Sequence, residues 1–409
     1  MNKQDIKIGV IGLGYVGLQV LSLFSRKYDC QGLDTDDLRI QQLSSGIDKK
    51  GCLPLSEITK MMKRCTISSI WENLSDCNVY IVTVPTPIDE KKMPDTTALE
   101  KACISLSQIL SPGNIIVFES TVYPGATEEL CIPIFESISK MKSNQDFFVG
   151  YSPERVNIGD NEHRVENTPK IVSAQNEETL DVICDIYHEV INAEIIKVSS
   201  IKTAEAAKMY ENVQRDVLIA LANQYSEYCR VEGLNIQEVT EYASTKWNFA
   251  KVLPGLVGGH CISVDPYYLL YRAKAKNTSL QLIEMARRIN ETKVEQIAKR
   301  IIKYTENKFS NCGNLRILVL GFSYKRNVGD IRNSKIAELI AILSTIFGTI
   351  DCYDPLVDAQ DVQKTYGLSI IASLDSIKEY DLAIIAVKHN CIANISYNAK
   401  TTINLDSYT

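Results

Sequence analysis

The chain has 409 residues, which fits two or three domains rather than one hydrophobic core. Its 45% apolar and 23% charged residues exclude a disordered or fibrous protein. The formal net charge of −6 argues against a nucleic-acid partner, because proteins that bind nucleic acid usually carry a basic excess.

The cysteines and the apolar runs predict a soluble, cytoplasmic protein with no membrane partner. The twelve cysteines are scattered without a CxxC pair, as is typical of reduced thiols. No apolar signal segment opens the chain, and the most apolar run, residues 336–350, is shorter than the ~20 residues of a membrane span. The four histidines form no HxxxH or similar group, so we expect no metal.

Residues 6–26 predict a strand, a glycine-rich turn and a helix. Gly12, Gly14 and Gly17 have GxGxxG spacing. The first glycine of such a turn permits the bend, the second lets a pyrophosphate approach the backbone, and the third lets the helix pack on the strand. A second predicted strand ends in Asp34, 22 residues beyond Gly12. A carboxylate there binds the adenosine ribose and repels a 2′-phosphate, which predicts NAD rather than NADP.

Two further strands, within residues 79–87 and 114–125, alternate with helix-like segments, as a doubly wound parallel sheet requires. Their carboxyl ends carry Thr83, Pro85 and Thr121. Ligands bind beyond these ends in open α/β sheets, so the three residues are candidates for the cofactor site. The alternative is that each threonine only caps or closes a turn.

Residues 201–232 predict one long helix, since they contain neither proline nor glycine and Gly233 follows. Lys208, Asn212 and Arg215 project from one face of this helix. A polar face of this kind is either part of a site or a stripe exposed to solvent.

A second nucleotide-binding unit is predicted near the carboxyl terminus. Residues 315–325 resemble the opening strand and turn, and a later strand again ends in an acid, Asp354. Phe322, Ser323 and Lys325 replace the open glycine positions, so a second dinucleotide is not favoured. Lys325 could meet the phosphate of a different nucleotide, or could be a solvated loop lysine.

Cys261 stands in the stretch GLVGGHCISVDPYYLL, residues 255–270. Most free thiols behave as small buried hydrophobes. Here Gly258 and Gly259 remove side chains that would block access, and Asp265 offers an ionisable partner. These neighbours favour a reactive cysteine.

A nucleophilic cysteine also needs a group that favours its thiolate. Lys208 is one candidate. His260 adjoins Cys261, but neighbouring residues on an extended segment point to opposite sides, so we predict that these two do not pair.

The motifs taken together resemble the UDP-glucose/GDP-mannose dehydrogenase family over essentially the whole chain. In family order they are GLGYVG, TVPTP, ESTVYPG, YSPER, EAAKMYEN, PGLVGGHCISVDPYYL and GFSYKRNVGDIRNSK. ESTVYPG, YSPERVN, TKWNF and GGHC followed by VDPYYL look most like the branch that acts on UDP-N-acetylhexosamines in bacterial surface-polysaccharide synthesis.

The resemblance implies oxidation of the C6 alcohol of a UDP-sugar to a carboxylate with two NAD⁺ and one water. The family's cysteine captures the aldehyde as a thiohemiacetal, and a thioester is then hydrolysed. Cys261 would be this nucleophile. Lys208 and Asn212 would face the oxyanion, and Glu154, Asp265 and Thr121 would serve proton transfer and hydrolysis.

The resemblance also assigns binding residues. The predicted cofactor residues are Gly12, Gly14, Tyr15, Val16, Gly17, Asp34, Arg39, Thr83, Pro85, Thr121 and Arg332. The predicted substrate residues are Glu154, Arg155, Val156, Lys208, Asn212, Arg215, Gly258 and Lys325. Departures from the family pattern at Ile158, Ser263 and Val264 argue against UDP-glucose, which stays an alternative substrate beside UDP-ManNAc.

We therefore predict an α/β protein with two Rossmann-like doubly wound domains and an active site between the two sheets. The expected divisions are an NAD domain at 1–200, a central helical domain with the cysteine loop at 201–305, and a UDP-sugar domain at 306–409. The long helix suggests a homodimer or larger assembly. Two other functions are kept as alternatives: a two-electron hydroxy-acid dehydrogenase with Lys208 as acid/base and a structural Cys261, and a non-catalytic NAD sensor.

Overall fold

The computed structural model describes residues 5–155, 164–374 and 378–408. The chain forms two compact units. The first comprises Met1–Glu211 and Tyr267–Lys276, and the second comprises Asn212–Pro266 and Asn277–Thr409.

The first unit is built on an eight-stranded sheet of order β3-β2-β1-β4-β5-β6-β7-β8. Neighbouring strands are parallel except β6 and β7, which are antiparallel. The strands are β1 (Lys7–Ile11), β2 (Asp29–Leu33), β3 (Cys65–Ser68), β4 (Val79–Val82), β5 (Ile115–Phe118), β6 (Phe148–Tyr151), β7 (Lys170–Ala174) and β8 (Ile195–Lys197). This order confirms the predicted doubly wound sheet.

Helices cover both faces of this sheet, because its central strands are apolar on both sides. In β4, for example, Val79 and Ile81 belong to one core cluster, whereas Tyr80 and Val82 belong to the other. The helices are α1 (Gly17–Phe24), α2 (Asp37–Ser44), α3 (Leu55–Met61), α4 (Thr97–Ile109), α5 (Ile132–Ser139) and α6 (Glu177–His188).

The predicted long helix is confirmed as α7 (Ile201–Val231). At its start the Ser200 hydroxyl accepts a hydrogen bond from the Thr203 amide at 3.1 Å. It ends before Gly233, whose φ of 71° lies in the left-handed region that favours glycine. The helix belongs to the first unit up to Glu211 and to the second from Asn212.

The second unit contains a four-stranded parallel sheet of order β10-β9-β12-β14 and a small pair, β11 with β13. The strands are β9 (Arg316–Leu320), β10 (Thr349–Tyr353), β11 (Glu379–Tyr380), β12 (Leu382–Ile385), β13 (Asn398–Ala399) and β14 (Thr402–Asn404). The remaining helices are α8 (Ile236–Ala243), α9 (Asp265–Ala275), α10 (Gln281–Lys308), α11 (Lys335–Ser344) and α12 (Ala359–Tyr366). Strand β9 and helices α10 and α11 supply most of its core. Within the described ranges, no helix combines the length and the apolar character that a membrane crossing needs.

Candidate active site

The glycine-rich turn follows β1 in the first unit, and each glycine has a distinct steric reason. Gly12 has a φ of 90°. A Cβ on Gly17 would lie 1.8 Å from the Gly12 carbonyl oxygen, so helix and turn are packed too closely for any side chain. A Cβ on Gly14 would meet nothing within 4 Å. The open side of the turn is therefore at Gly14, as a pyrophosphate site requires, and the residues present fit NAD.

Polar side chains brace this turn from two neighbouring elements. The Asp34 carboxylate accepts hydrogen bonds from the Leu13 amide at 2.8 Å and from the Asp36 amide at 3.0 Å, one on each oxygen, and each oxygen can accept a further bond from a ribose. Buried Arg39 donates to the Leu13 carbonyl at 3.0 Å and pairs with Asp48 at 2.7 Å. Thr83 donates to the Gly12 carbonyl at 2.8 Å, which is the turn role that the sequence left open. These contacts make Arg39 and Thr83 supports of the turn.

The other predicted cofactor residues differ in their exposure to solvent. Tyr15 and Val16 are half-buried within the turn, and Pro85 is exposed beyond β4. Arg332 belongs to the second unit and pairs with Asp330. Their contact with NAD stays a prediction.

Glu154, which follows β6, lies in a buried charged cluster of the first unit. Lys170 on β7 contacts Glu154 at 2.9 Å and Glu119, at the end of β5, at 3.2 Å. Tyr187 on α6 donates a hydrogen bond to Glu119. Burial raises the pKa of Glu119, since the carboxyl is fully enclosed. Burial alone would lower the pKa of Lys170, but the two carboxylates outweigh it and raise that pKa.

Sequence reasoning found Glu154 but missed Lys170, Glu119 and Tyr187. Lys170 stands in no recognisable motif, and its role becomes visible only when β7 lies beside β6. The pairing of these two strands places the lysine next to two acids that are distant in sequence. The ion pair between Lys170 and Glu154 therefore depends on a tertiary contact, which local sequence patterns do not show.

Lys208 and the Thr121 segment complete the predicted residues of the first unit. The Lys208 ammonium donates to the Glu154 carbonyl oxygen at 2.6 Å. Thr121 is half-buried, and its carbonyl accepts a hydrogen bond from Thr86 at 2.7 Å. Glu205, on α7, accepts from the Gly125 and Thr127 amides and so fixes the same loop. Burial raises the pKa of Glu205 to about 7.

Two predicted substrate residues follow Glu154 directly. Arg155 is half-buried and pairs with Glu211 at 2.8 Å. Val156 lies outside the described residues, as does Ile158.

In the second unit, Cys261 lies on a turn that leads into α9 and is half-buried. Its carbonyl oxygen accepts hydrogen bonds from Val264 and Asp265 at 3.0 and 2.8 Å. A Cβ on Gly258 would lie 2.8 Å from the Asn333 carbonyl oxygen, and one on Gly259 would lie 2.9 Å from the Tyr324 ring. The two glycines thus let Asn333 and Tyr324 pack closely against this turn, and access to the thiol stays a prediction.

The prediction that His260 and Cys261 point to opposite sides is wrong. His260 Nε2 lies 3.6 Å from Cys261 Sγ. Residues 259–264 form consecutive turns rather than an extended strand, so the alternation of side chains that strands impose does not apply.

Asn212 and Asp265 face each other beside this turn. The Asn212 amide nitrogen donates to an Asp265 carboxylate oxygen at 2.5 Å, and both side chains are buried. Within the part of the chain that the structure describes, Asn212 Oδ1 is buried without a hydrogen-bond partner. A buried amide oxygen in this state is suited to a ligand hydroxyl.

The polar face of α7 is therefore not one solvated stripe. Lys208 is 6% exposed and Asn212 is fully buried, whereas Arg215 is exposed. The alternative of a solvent-exposed stripe is therefore wrong for Lys208 and Asn212 and holds only for Arg215.

A basic cavity of about 250 Å³ lies in the second unit at the carboxyl end of β9. Lys325, Arg326, Lys335 and Lys388 line it. Lys335 is held by Glu291 and Glu338 at 2.7 and 2.8 Å. A cavity with this charge suits a diphosphate. Gly258, three residues before Cys261, also lines the cavity, as does Tyr324, whose ring packs against Gly259.

The acid that follows β10 in the second sheet, Asp354, has its carboxylate occupied by hydrogen bonds within the protein. Asp354 accepts hydrogen bonds from the Phe322 and Ser323 amides, and buried His389 lies 3.0 Å from the same carboxylate oxygen. Burial raises the pKa of Asp354, but the His389 hydrogen bond and the backbone amides outweigh it and hold that pKa below its usual value. This arrangement agrees with the prediction that the second unit does not bind a dinucleotide.

The first sheet with its glycine turn and the basic cavity of the second unit define an NAD-dependent dehydrogenase of nucleotide-linked substrates. The chain belongs to the UDP-glucose/GDP-mannose dehydrogenase family. Residues 6–191 match the family's NAD binding domain, 202–292 its central domain, and 318–407 its UDP binding domain. The predicted resemblance and the NAD cofactor are thereby confirmed, and the hydroxy-acid dehydrogenase and the sensor are set aside.

Similar proteins match over almost the full length of the chain. It is 41% identical to UDP-N-acetyl-D-glucosamine 6-dehydrogenase of Pseudomonas aeruginosa, over 96% of this chain and 92% of the relative. It is 40% identical to protein CapL of Staphylococcus aureus, over 97% and 92%. The structure of UDP-D-ManNAc dehydrogenase from Pyrococcus horikoshii has a TM-score of 0.88 at 29% identity and covers 98% of this chain and 95% of its own. The protein is an NAD-dependent nucleotide-sugar 6-dehydrogenase.

The contrast between Gly14 and Gly17 gives a test of the cofactor site. A Gly14→Ala variant should keep its melting temperature without NAD, because the added methyl group meets no atom of the protein. It should bind NAD at least ~10-fold more weakly in calorimetry, because the methyl group stands where the pyrophosphate approaches. Gly17→Ala is the matched control and should be destabilised even without cofactor. Unchanged NAD affinity in Gly14→Ala would contradict this placement.

Proposed function

We propose that the protein oxidises the C6 hydroxymethyl group of a UDP-N-acetylhexosamine, UDP-GlcNAc or UDP-GalNAc, to the uronic acid, through a thiohemiacetal and a thioester on Cys261. UDP-glucose and UDP-ManNAc are the alternative substrates. The names of the relatives from P. aeruginosa and P. horikoshii support an N-acetylhexosamine.

One observation carries this proposal. The basic cavity adjoins the turn of Cys261, because Gly258 and Tyr324 line the cavity and the Tyr324 ring packs against Gly259. A diphosphate bound by Lys325 and its neighbours would therefore tether the sugar close to a half-buried thiol. Tethering of this kind lets binding energy at the phosphates position the reacting carbon.

NAD supplies the hydride acceptor for both oxidations. In the second unit, the Cys261 thiolate adds to C6 of the aldehyde and later leaves from the thioester as water attacks. Asn212 would hold the C6 oxygen, since its buried amide has an oxygen without a partner among the described residues. Asp265 fixes the orientation of that amide through their 2.5 Å hydrogen bond.

In the first unit, Glu154 and Lys208 are assigned to proton transfer and charge stabilisation. Lys170 holds Glu154 in place, and the Glu154 carbonyl holds the Lys208 ammonium at 2.6 Å. Thr121 would orient the hydrolytic water from a loop that Glu205 fixes. Preorganised groups of this kind need little rearrangement during the reaction.

We also propose that the product serves bacterial surface-polysaccharide synthesis, as capsule or O-antigen, in the cytoplasm. A UDP-uronic acid is an activated acidic sugar, the form in which a glycosyltransferase would use it. The similarity to protein CapL supports this assignment.

The assembly proposed is a homodimer or larger homo-oligomer formed through α7. Leu221, Tyr225 and Tyr228 are exposed and lie on one face of the helix at spacings of four and three residues. The two tyrosine rings lie 5.6 Å apart. An exposed apolar stripe on one face of a helix suits a second copy of the same helix.

The reaction is tested with a panel of UDP-GlcNAc, UDP-GalNAc, UDP-ManNAc and UDP-glucose, read by NADH absorbance and by mass spectrometry of the product. We expect two NADH per sugar, an acidic product, and the highest kcat/KM with UDP-GlcNAc or UDP-GalNAc. One NADH with a carbonyl product would contradict the four-electron reaction. Equal or better use of UDP-glucose would contradict the choice of branch.

The nucleophile is tested with Cys261→Ser, which should lose net turnover by roughly 10³-fold or more because a hydroxyl is a far weaker nucleophile than a thiolate. Cys391→Ser is the matched control, since Cys391 is an exposed thiol of the same unit. It should keep full activity. Full activity in Cys261→Ala would refute the covalent scheme.

The assembly is tested by light scattering on the double variant Leu221→Glu and Tyr225→Glu. Two buried charges on each side of the interface should dissociate the oligomer to the monomer mass of 45.8 kDa. Lys303→Glu, a charge change at an exposed position of α10, should leave the mass of the oligomer unchanged. An oligomer that persists in the double variant would place the interface elsewhere.

A further inference from the structure

The side chains of His260 and Cys261 form a close pair that the family resemblance does not assign. Nε2 of His260 lies 3.6 Å from Sγ of Cys261, a distance suited to a hydrogen bond that involves sulfur. Cys261 is half-buried.

The backbone holds this pair together. Gly259 has a φ of 81°, which turns the chain just before His260. The Gly259 carbonyl accepts hydrogen bonds from Ser263 at 2.5 Å and from Asn333 at 2.8 Å. With the two amide hydrogen bonds to the Cys261 carbonyl, both ends of the turn are fixed. The backbone conformation of this turn therefore brings the two side chains together.

We propose that His260 takes the proton of the Cys261 thiol, so that the pair exists as imidazolium and thiolate before the sugar is oxidised. The Sγ–H bond breaks, its electron pair stays on sulfur, and the proton forms an Nε2–H bond. An ion pair of this kind gives a cysteine its nucleophilicity at neutral pH.

The charged groups packed around the turn make hydrogen bonds and ion pairs of their own. Arg287 donates to the Ile262 carbonyl at 3.3 Å and pairs with Asp216 and Glu291. Asp265 holds Asn212.

Tyr324, whose ring covers Gly259, is the remaining titratable group on this side. Burial, then the charges of Asp330 and Cys261, raises the pKa of Tyr324, so its hydroxyl is neutral at physiological pH. Arg332 pairs with Asp330. His260 lies 3.6 Å from the sulfur, and its imidazole is a side chain that can accept a proton.

The role of this pair in the reaction rests on the proposed function. When the thiolate adds to C6 of the aldehyde, the electron pair of the carbonyl bond moves to oxygen. The proton on His260 neutralises that oxygen, which gives a neutral thiohemiacetal and a neutral imidazole. When the second hydride leaves, the hydroxyl proton of the thiohemiacetal returns to His260 as the carbonyl bond of the thioester forms. The resulting imidazolium stabilises the thiolate that departs at hydrolysis.

The pair is tested without any substrate, by alkylation of Cys261 with iodoacetamide as a function of pH, followed by peptide mass spectrometry. In the intact enzyme the rate should stay high well below pH ~8.5, where an ordinary thiol is half ionised. In His260→Gln the midpoint should rise by at least ~1 pH unit, and the rate at pH 6.5 should fall roughly 3- to 10-fold. The exposed thiol of Cys391 is the internal reference, and His188→Gln, at an exposed histidine of the first unit, is the matched control.

An equal midpoint in the intact enzyme and His260→Gln would overturn the proposal, as would a Cys261 that resists alkylation throughout. If His260→Gln does not fold, NMR titration of the four histidines provides the second measurement. His260 should titrate at lower pH in Cys261→Ser than in the intact enzyme, and an unchanged titration would overturn the proposal. A fully active Cys261→Ser would instead refute the proposed reaction, while the alkylation profile would still decide the proton exchange.

Discussion

The position of the thiol depends on a close approach that glycine alone permits. Gly258 and Gly259 lie against the Asn333 carbonyl and the Tyr324 ring, where any Cβ would come within 3 Å of a neighbouring atom. This packing fixes the turn of Cys261 to the segment that follows β9. The basic cavity lies at the end of the same strand. The second unit therefore joins the basic cavity and the turn of Cys261 through one close contact.

The two sheets share one backbone arrangement at the turn that follows their first strand. After the first strand of each sheet, an acid from the next strand accepts hydrogen bonds from the turn: Asp34 from Leu13, and Asp354 from Phe322 and Ser323. Asp34 keeps acceptor capacity for a ribose, whereas His389 covers Asp354. The same backbone arrangement thus gives a dinucleotide site in one unit and a cavity lined by cationic side chains in the other.

Much of this fold follows from the sequence, because strand and helix patterns are local. The glycine turn, the long helix and the second sheet were all predictable from residue periodicity and from the positions of glycines and acids. Lys170 was not, since its contacts with Glu119 and Glu154 depend on the antiparallel pairing of β6 and β7. The contact of His260 with Cys261 was missed for a different reason. The prediction treated residues 259–264 as extended, whereas they form consecutive turns, in which side chains of neighbouring residues need not alternate.

The central claim is that Cys261 carries the sugar as a thioester. The most direct measurement uses Glu154→Gln, in which hydrolysis should be slowed so that the acyl form accumulates. This variant is mixed with UDP-GlcNAc and NAD, quenched in acid, digested and analysed by mass spectrometry. The account predicts a uronyl adduct on the peptide that contains Cys261. NADH release without an adduct on that peptide, or an adduct on another residue, would contradict it.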